Sequence, residues 1–300
     1  MSHAVVERYR LHDDRLVTLA QARRLADELA HAQYENFSVA SWFLPRALRP
    51  HFYSIYAFCR VSDDLGDEIG DPAQSLALLA EWRAELHACY AGEPRHWVFV
   101  ALAETIAAFD IPVEPFDRLL DAFVRDQGQP RYATYDDLLS YCRCSADPVG
   151  RLVLYLGGYR DEERQRLSDR TCTALQITNF WQDVARDWDK GRVYLPLEDL
   201  REFGVSEEQL AARRCTDGYR ALLRFECDRA RALFAEGVGL LDLVDRRLRR
   251  DIGLFTAGGL KILDRIAAQN YDTLTSRPAL SKLGKLALVL RVLLGGRPWR

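Results

Sequence analysis

Apolar residues recur at intervals of three and four along most of the chain, the period of helices that bury one face. In DPAQSLALLAEWRAELHACYAG they fall at Leu76, Leu79, Trp82 and Leu86. Asp71 stands ahead of them as an N-cap, Pro72 takes the first helical position, Gln74 the capping-box position, and Gly92 follows the end. WVFVALAETIAAFDIP predicts a buried helix that stops before Pro112. SEEQL, from Ser206, is a second capping-box start. Long periodic runs cover roughly 160–189, 217–249 and 251–273, and alternating strand patterns with hairpin turns are scarce. The pattern predicts an all-α fold of about ten or more helices. No linker, repeat or composition break interrupts it, so residues 1–300 read as a single domain. Residues 1–28 form an N-terminal extension and first helix, and 278–300 a basic amphipathic tail.

A hydrophobic content of 48% suffices for a large core, and a net charge of −3 with no basic stripe gives no reason to expect nucleic acid. The seven cysteines are scattered, with only Cys142 and Cys144 close together. C-x-C alone is not a zinc pattern, so they read as reduced thiols of a cytoplasmic protein. MSHAVVERYRLHDD lacks the apolar core of a signal peptide. No window offers the roughly 18 uncharged apolar residues of a spanning helix.

CRVSDDLGDE, Cys59 to Glu68, packs four acids and one arginine into ten residues directly after the apolar HFYSIYAF. On a helix Asp63 and Asp67 lie one above the other, with Asp64 and Glu68 on the adjacent stripe. Such like-charge pairs cost about 0.2–0.5 kcal/mol each unless a cation lies between them. Alone, the segment reads equally as a solvated helix end. LQITNFWQDVARDWDKGRVYLP repeats the device: Asn179, Asp183 and Asp187 follow at four and four, drifting only about 40° per step. Gln176 lies one short turn earlier on nearly the same face, and the helix should end near Gly191. Each acidic set has aromatic neighbours and arginine: Arg60 beside the first, Arg186 and Arg192 beside the second. Two facing sets would cradle magnesium and diphosphate, with arginine forks taking the remaining charge.

Together these stretches resemble the head-to-head isoprenyl synthases, the squalene, phytoene and dehydrosqualene synthases, over residues from about 30 to 285. AFCRVSDDLGDE is similar to their first aspartate-rich motif, and LQITNFWQDVARDWDKGRVYLP to their second. The resemblance implies an isoprenoid-synthase helical bundle around a central apolar cavity. It implies magnesium on Asp63, Asp67, Asn179, Asp183 and Asp187. It implies a catalytic set of Asp63, Asp67, Asp183, Asp187 and Tyr141. It also implies substrate and diphosphate contacts from Arg60, Gln176, Asn179, Arg192, Tyr194, Phe37 and Arg277.

Within the family, YENFSVASWFLPRALRPHFYSIYAFCR is most similar to the hydroxysqualene synthases of the bacterial three-step route to squalene and hopanoids. The expected activity is a lyase reaction: ionisation of presqualene diphosphate, rearrangement, and water capture to hydroxysqualene and diphosphate. Its pathway neighbours would be a presqualene diphosphate synthase and a squalene-forming flavoenzyme. The alternatives are a transferase condensing two prenyl diphosphates to squalene, presqualene diphosphate or phytoene, and a non-catalytic prenyl-lipid-binding relative. Four intact motif aspartates argue against the last. No G-x-G-x-x-G opens a helix, so neither nicotinamide nor flavin is expected. Two segments depart from the family pattern: QYENF stands where H-S-x-S-F is usual, and YCRCSADPVG where Y-C-x-Y-V-A-G is usual. The second keeps Tyr141, and its helix should break at Pro148. The tail RPALSKLGKLALVLRVLLGGRPWR leaves two readings: a last core helix with a basic end, or an interfacial helix in peripheral contact with the membrane.

Overall fold

The computed structural model describes residues 2–11, 17–33, 45–128 and 131–293. Among the described residues there are fifteen helices and no strand, and a single bridge pairs Arg131 with Val193. The chain divides into two compact units, residues 1–128 with 151–160, and residues 129–150 with 161–300.

The first unit holds α1 (Ser2–Tyr9), α2 (Leu19–Gln33), α3 (Arg49–Asp67), α4 (Pro72–Tyr90), α5 (Trp97–Phe109) and α6 (Glu114–Asp126). α3 packs against α2, α4, α5 and α6 and carries the first acidic motif at its C-terminal end. Its aromatic face explains its central place. Phe58 is fully buried, with ring centroids 5.0 Å from Phe116 and 6.1 Å from Phe99. Trp82 of α4 donates Nε1–H to Ser62 Oγ at 3.0 Å, which satisfies a buried hydroxyl on the same helix. Asp71 caps α4 by accepting from the Ala73 amide at 3.0 Å.

The second unit holds α7 (Tyr135–Ser145), α9 (Glu162–Asp189), α10 (Leu197–Glu202), α11 (Glu207–Ala211), α12 (Asp217–Gly237), α13 (Leu240–Leu243), α14 (Arg246–Ala268) and α15 (Lys282–Leu293). α8 (Asp147–Leu156) is divided between the units. α7 ends at Ser145 and α8 starts at Asp147, so the expected break falls just before Pro148. α9 is 28 residues long and packs along α12. At their crossing a Cβ on Gly237 would lie 2.9 Å from the Thr171 amide nitrogen and 3.0 Å from the Leu167 carbonyl oxygen. Only glycine lets the two backbones approach that far.

The boundaries differ from the periodicity in two of the long runs: the run 251–273 is shifted, its helix starting at Arg246 and ending at Ala268. The run 217–249 is not one helix: α12 stops at Gly237, and α14 starts after Asp245. The Asp245 carboxylate accepts from the Arg247 and Leu248 amides at 2.7 and 3.1 Å, a cap inside a continuous apolar pattern. The Ser206–Gln209 capping box forms with both bonds, and a second one, Thr134 with Asp137, opens α7.

Candidate active site

The first acidic row closes α3. Asp64, not Asp63, is its buried member, 1% exposed, while the Asp63 side chain is 46% exposed. The Arg60 guanidinium serves three acids: Nη1 reaches Asp63 Oδ2 at 3.3 Å, and Nη2 reaches Glu68 Oε1 at 3.3 Å and also pairs with Asp64. From α1, Arg8 Nη1 meets Glu68 Oε2 at 2.8 Å and Asp64 Oδ2 at 3.3 Å, and the Tyr9 hydroxyl donates to Asp64 Oδ2. Burial raises the Asp64 carboxyl, opposed by the Tyr9 hydrogen bond and the Arg60 charge. Burial and the Asp64 contact push the Tyr9 phenol up to about 12. Sequence reasoning missed Arg8 and Tyr9. Nothing in ERYR couples it to a motif more than fifty residues later.

The second row runs along α9, where Asn179 is exposed, and Gln176, Asp183 and Asp187 are half-buried. Arg277, expected at the diphosphate, forks onto Asp183 instead, with Nε–Oδ1 at 2.6 Å and Nη2–Oδ2 at 2.8 Å. Gln182, buried on α9, donates to the Pro278 carbonyl and fixes the segment that presents Arg277. α9 closes on Lys190, and Gly191 takes the left-handed conformation at φ 76°. The Arg192 amide then turns back to the Asp187 carbonyl at 2.8 Å.

The GRVYLP segment after that turn is held by residues 131–134. Arg131 Nη1 donates to the Gly191 carbonyl at 2.7 Å, and its Nε and Nη2 pair with Glu207 at 3.1 Å each. The Leu197 amide donates to the Tyr132 carbonyl at 2.8 Å. This brings four buried aromatic rings together. Phe180 and Tyr194 stack at 3.8 Å, Tyr132 stacks on Tyr194 at 5.9 Å, and Tyr141 of α7 lies 5.8 Å from Tyr194 and 6.2 Å from Phe180. Tyr132 was not singled out in the sequence. A small pocket beside them is lined by Phe180, Val184, Asp187, Trp188, Arg192 and Tyr194. Tyr141, Tyr194, Asp187 and Arg192, separated by up to 53 positions, thus share one neighbourhood. Phe37 lies outside the described residues.

The same unit holds a buried ionic group. Asp199 of α10 and Glu226 of α12 share Arg229 Nη1, at 2.6 and 3.2 Å, and the Arg229 guanidinium lies 4.2 Å from both the Tyr135 and Phe225 ring centroids. Burial, helped by a hydrogen bond with Asp199, pushes the Glu226 carboxyl up to about 9.

The donors of both rows suit magnesium. They are hard oxygens, and magnesium takes one or two carboxylates and leaves its other positions to water and phosphate. No three His, Cys, Asp or Glu side chains among the described residues gather as a complete cage, and magnesium requires none. The side chains of Asp63 and Asp183, 46% and 22% exposed, keep surface toward solvent.

Comparison with known proteins bears on what this arrangement serves. Residues 30–284 match the squalene/phytoene synthase family. A phytoene synthase of Thermus thermophilus is 34% identical over 266 residues, covering 89% of this chain and 90% of its own. The crystal structure of squalene synthase HpnC from Alicyclobacillus acidocaldarius is 50% identical, with a TM-score of 0.81 over 85% of this chain and 96% of that one. A dehydrosqualene synthase solved with a ligand shares the fold at a TM-score of 0.83 and 24% identity, over 92% of this chain and 97% of that one. By sequence over nearly its whole length, and by its all-helical fold, this chain belongs to the squalene/phytoene synthase family.

Proposed function

We propose that the protein ionises presqualene diphosphate and directs water to the resulting carbocation, releasing hydroxysqualene and diphosphate. The observation that carries this reading is the 50% identity to a squalene synthase over 85% of the chain. It favours squalene-type over phytoene-type chemistry. The resemblance of the Tyr34–Arg60 stretch to hydroxysqualene synthases narrows the step.

In this reading, Asp63, Asp67, Asn179, Asp183 and Asp187 hold magnesium. When bound, the metal supplies Lewis-acid charge to the diphosphate oxygens. Arg60 and Arg192 would donate to diphosphate oxygens as negative charge builds on the leaving group. The rings of Tyr141, Phe180, Tyr194 and Tyr132, each under 9% exposed, present apolar, electron-rich faces. Each face attracts a cation by about 0.5–2 kcal/mol and keeps water from quenching it early.

A second reading, condensation of two prenyl diphosphates, is favoured by the 34%-identical phytoene synthase. Incubating the protein and magnesium separately with presqualene diphosphate and with farnesyl diphosphate distinguishes the two. Hydroxysqualene from the first substrate alone is expected. Presqualene diphosphate accumulating from the second would transfer the assignment to the transferase.

The substrate is a lipid, and α15 supports the interfacial reading of the tail. Leu283, Leu286 and Leu290, 79%, 54% and 48% exposed, make one stripe at i, i+3 and i+7, on a helix whose Val292 is buried. Lys285 and Arg291 are exposed, and α15 contains no acid. No helix among the described residues is long and apolar enough to cross a membrane. We propose that α15 rests on an anionic lipid surface.

A further inference from the structure

The acidic end of α3 is served by more than its own helix. Asp64 is 1% exposed, and an ion buried that deeply is costly unless cations and donors meet it. Three groups do so: the guanidinium of Arg60, the hydroxyl of Tyr9 and the guanidinium of Arg8, whose Nη1 also holds Glu68 at 2.8 Å. Two of the three come from α1. The last residue of α1 is itself fixed to the start of α5. The Tyr9 carbonyl accepts from His96 Nε2 at 2.8 Å and from Trp97 Nε1 at 3.1 Å. The His96 tautomer this requires, with Nε2 protonated, leaves Nδ1 to accept from the Val98 amide at 3.3 Å, as it does. Tyr9 is 2% exposed, so its hydroxyl has a fixed aim.

Arg60 is the shared resource. It divides its donors among Asp63, Asp64 and Glu68. We infer that Arg8 and Tyr9 are positioning residues for the reaction: by meeting the charge of Asp64 and Glu68 from α1, they keep Arg60 on the side of Asp63, where it can donate to a magnesium-bound diphosphate. Without them the buried Asp64 draws the Arg60 guanidinium wholly to itself, because an unpaired buried carboxylate costs more than a lost surface contact. This inference rests on the proposed role of Arg60 and Asp63.

The test is binding of inorganic diphosphate with magnesium to the full-length protein, followed by calorimetry, for Tyr9→Phe, Arg8→Gln, Arg8→Lys and Arg60→Gln. Tyr9→Phe and Arg8→Gln should each weaken diphosphate binding about tenfold, the worth of one hydrogen bond to a charged group. Arg8→Lys should recover most of the loss, since a cation remains. The Arg8 side chain is 42% exposed, and Tyr9 and Arg60 still meet Asp64 without it, so Arg8→Gln should keep the wild-type helical spectrum and a melting temperature close to wild type. With the Michaelis constant for the prenyl diphosphate rising in parallel, the loss is assigned to the site and not to the fold. If Arg60→Gln loses affinity while Tyr9→Phe and Arg8→Gln bind like wild type, the α1 inference is overturned and the site reading stands. If the wild type takes up no diphosphate with magnesium, the site reading itself is overturned.

Discussion

Asp183 meets an arginine where a metal ligand is expected. Arg277 covers both its oxygens, so a dication must compete with a guanidinium for the same carboxylate. Arg277→Gln should therefore tighten the binding of magnesium alone by roughly two- to fivefold, the worth of a partly exposed ion pair, while weakening diphosphate binding. Separate titrations with metal and with inorganic diphosphate read the two effects. Glu226 is a residue of a different kind. Its folded pKa of about 9 lies far above the usual carboxylate range, so between about pH 4.5 and 9 the folded chain holds a proton that the unfolded chain releases. Stability falls as pH rises through that window and levels off above it. Glu226→Gln keeps a donor toward Asp199 without titrating. Its melting temperature should lie close to wild type near pH 5 and exceed it by a margin that widens steadily as pH rises to 8.5. Among single residues, Asp63, Asp67, Asn179, Asp183 and Asp187 were singled out by four-residue spacing on a helix, where regular geometry translates number into direction, while Tyr141, Tyr194, Phe37 and Arg277 came only from the family resemblance. Tyr132, Tyr9 and Arg8 carried no such signal. Their partners lie on other elements, and only the folded chain brings them together.

Helices are where the sequence was most informative. α4, α5 and α9 follow from apolar periodicity and from caps at Asp71, His96 and Asp161 that serve orphan amides. Their ends follow from Pro112 and from the left-handed Gly191. The split between α12 and α14 was hidden because the apolar period runs on through residues 238–245, and the Asp245 cap sits among arginines that look like an ordinary helix surface. Packing between helices was not legible either. Gly237 occupies an unremarkable position in the pattern, yet it sets the spacing of α12 on α9. Gly237→Ala should cost about 1–3 kcal/mol, since backbone and not a flexible side chain must move. Urea unfolding monitored by circular dichroism should show a lower midpoint with an unchanged slope.

For the whole molecule, the two acidic rows fall one on each compact unit, the first at the end of α3 and the second along α9. The existence of both rows was plain in the sequence, and their division between units was not, because no linker or composition shift marks it. At this scale also belongs the lipid contact. With vesicles of phosphatidylcholine and phosphatidylglycerol, wild type should co-sediment, and with phosphatidylcholine alone it should stay largely in solution. A variant with Leu283, Leu286 and Leu290 changed to Gln should stay in solution with both. Sedimentation of that variant at the wild-type level would remove α15 from the contact. The central claim is that each carboxylate row takes part in releasing the diphosphate. The most direct measurement is release of diphosphate from presqualene diphosphate, with magnesium, by wild type, Asp63→Asn and Asp183→Asn. Wild type should yield hydroxysqualene, and each variant should fall by a factor of at least about 100, the scale of losing one group that stabilises leaving-group charge. Turnover by either variant at the wild-type rate would contradict the account.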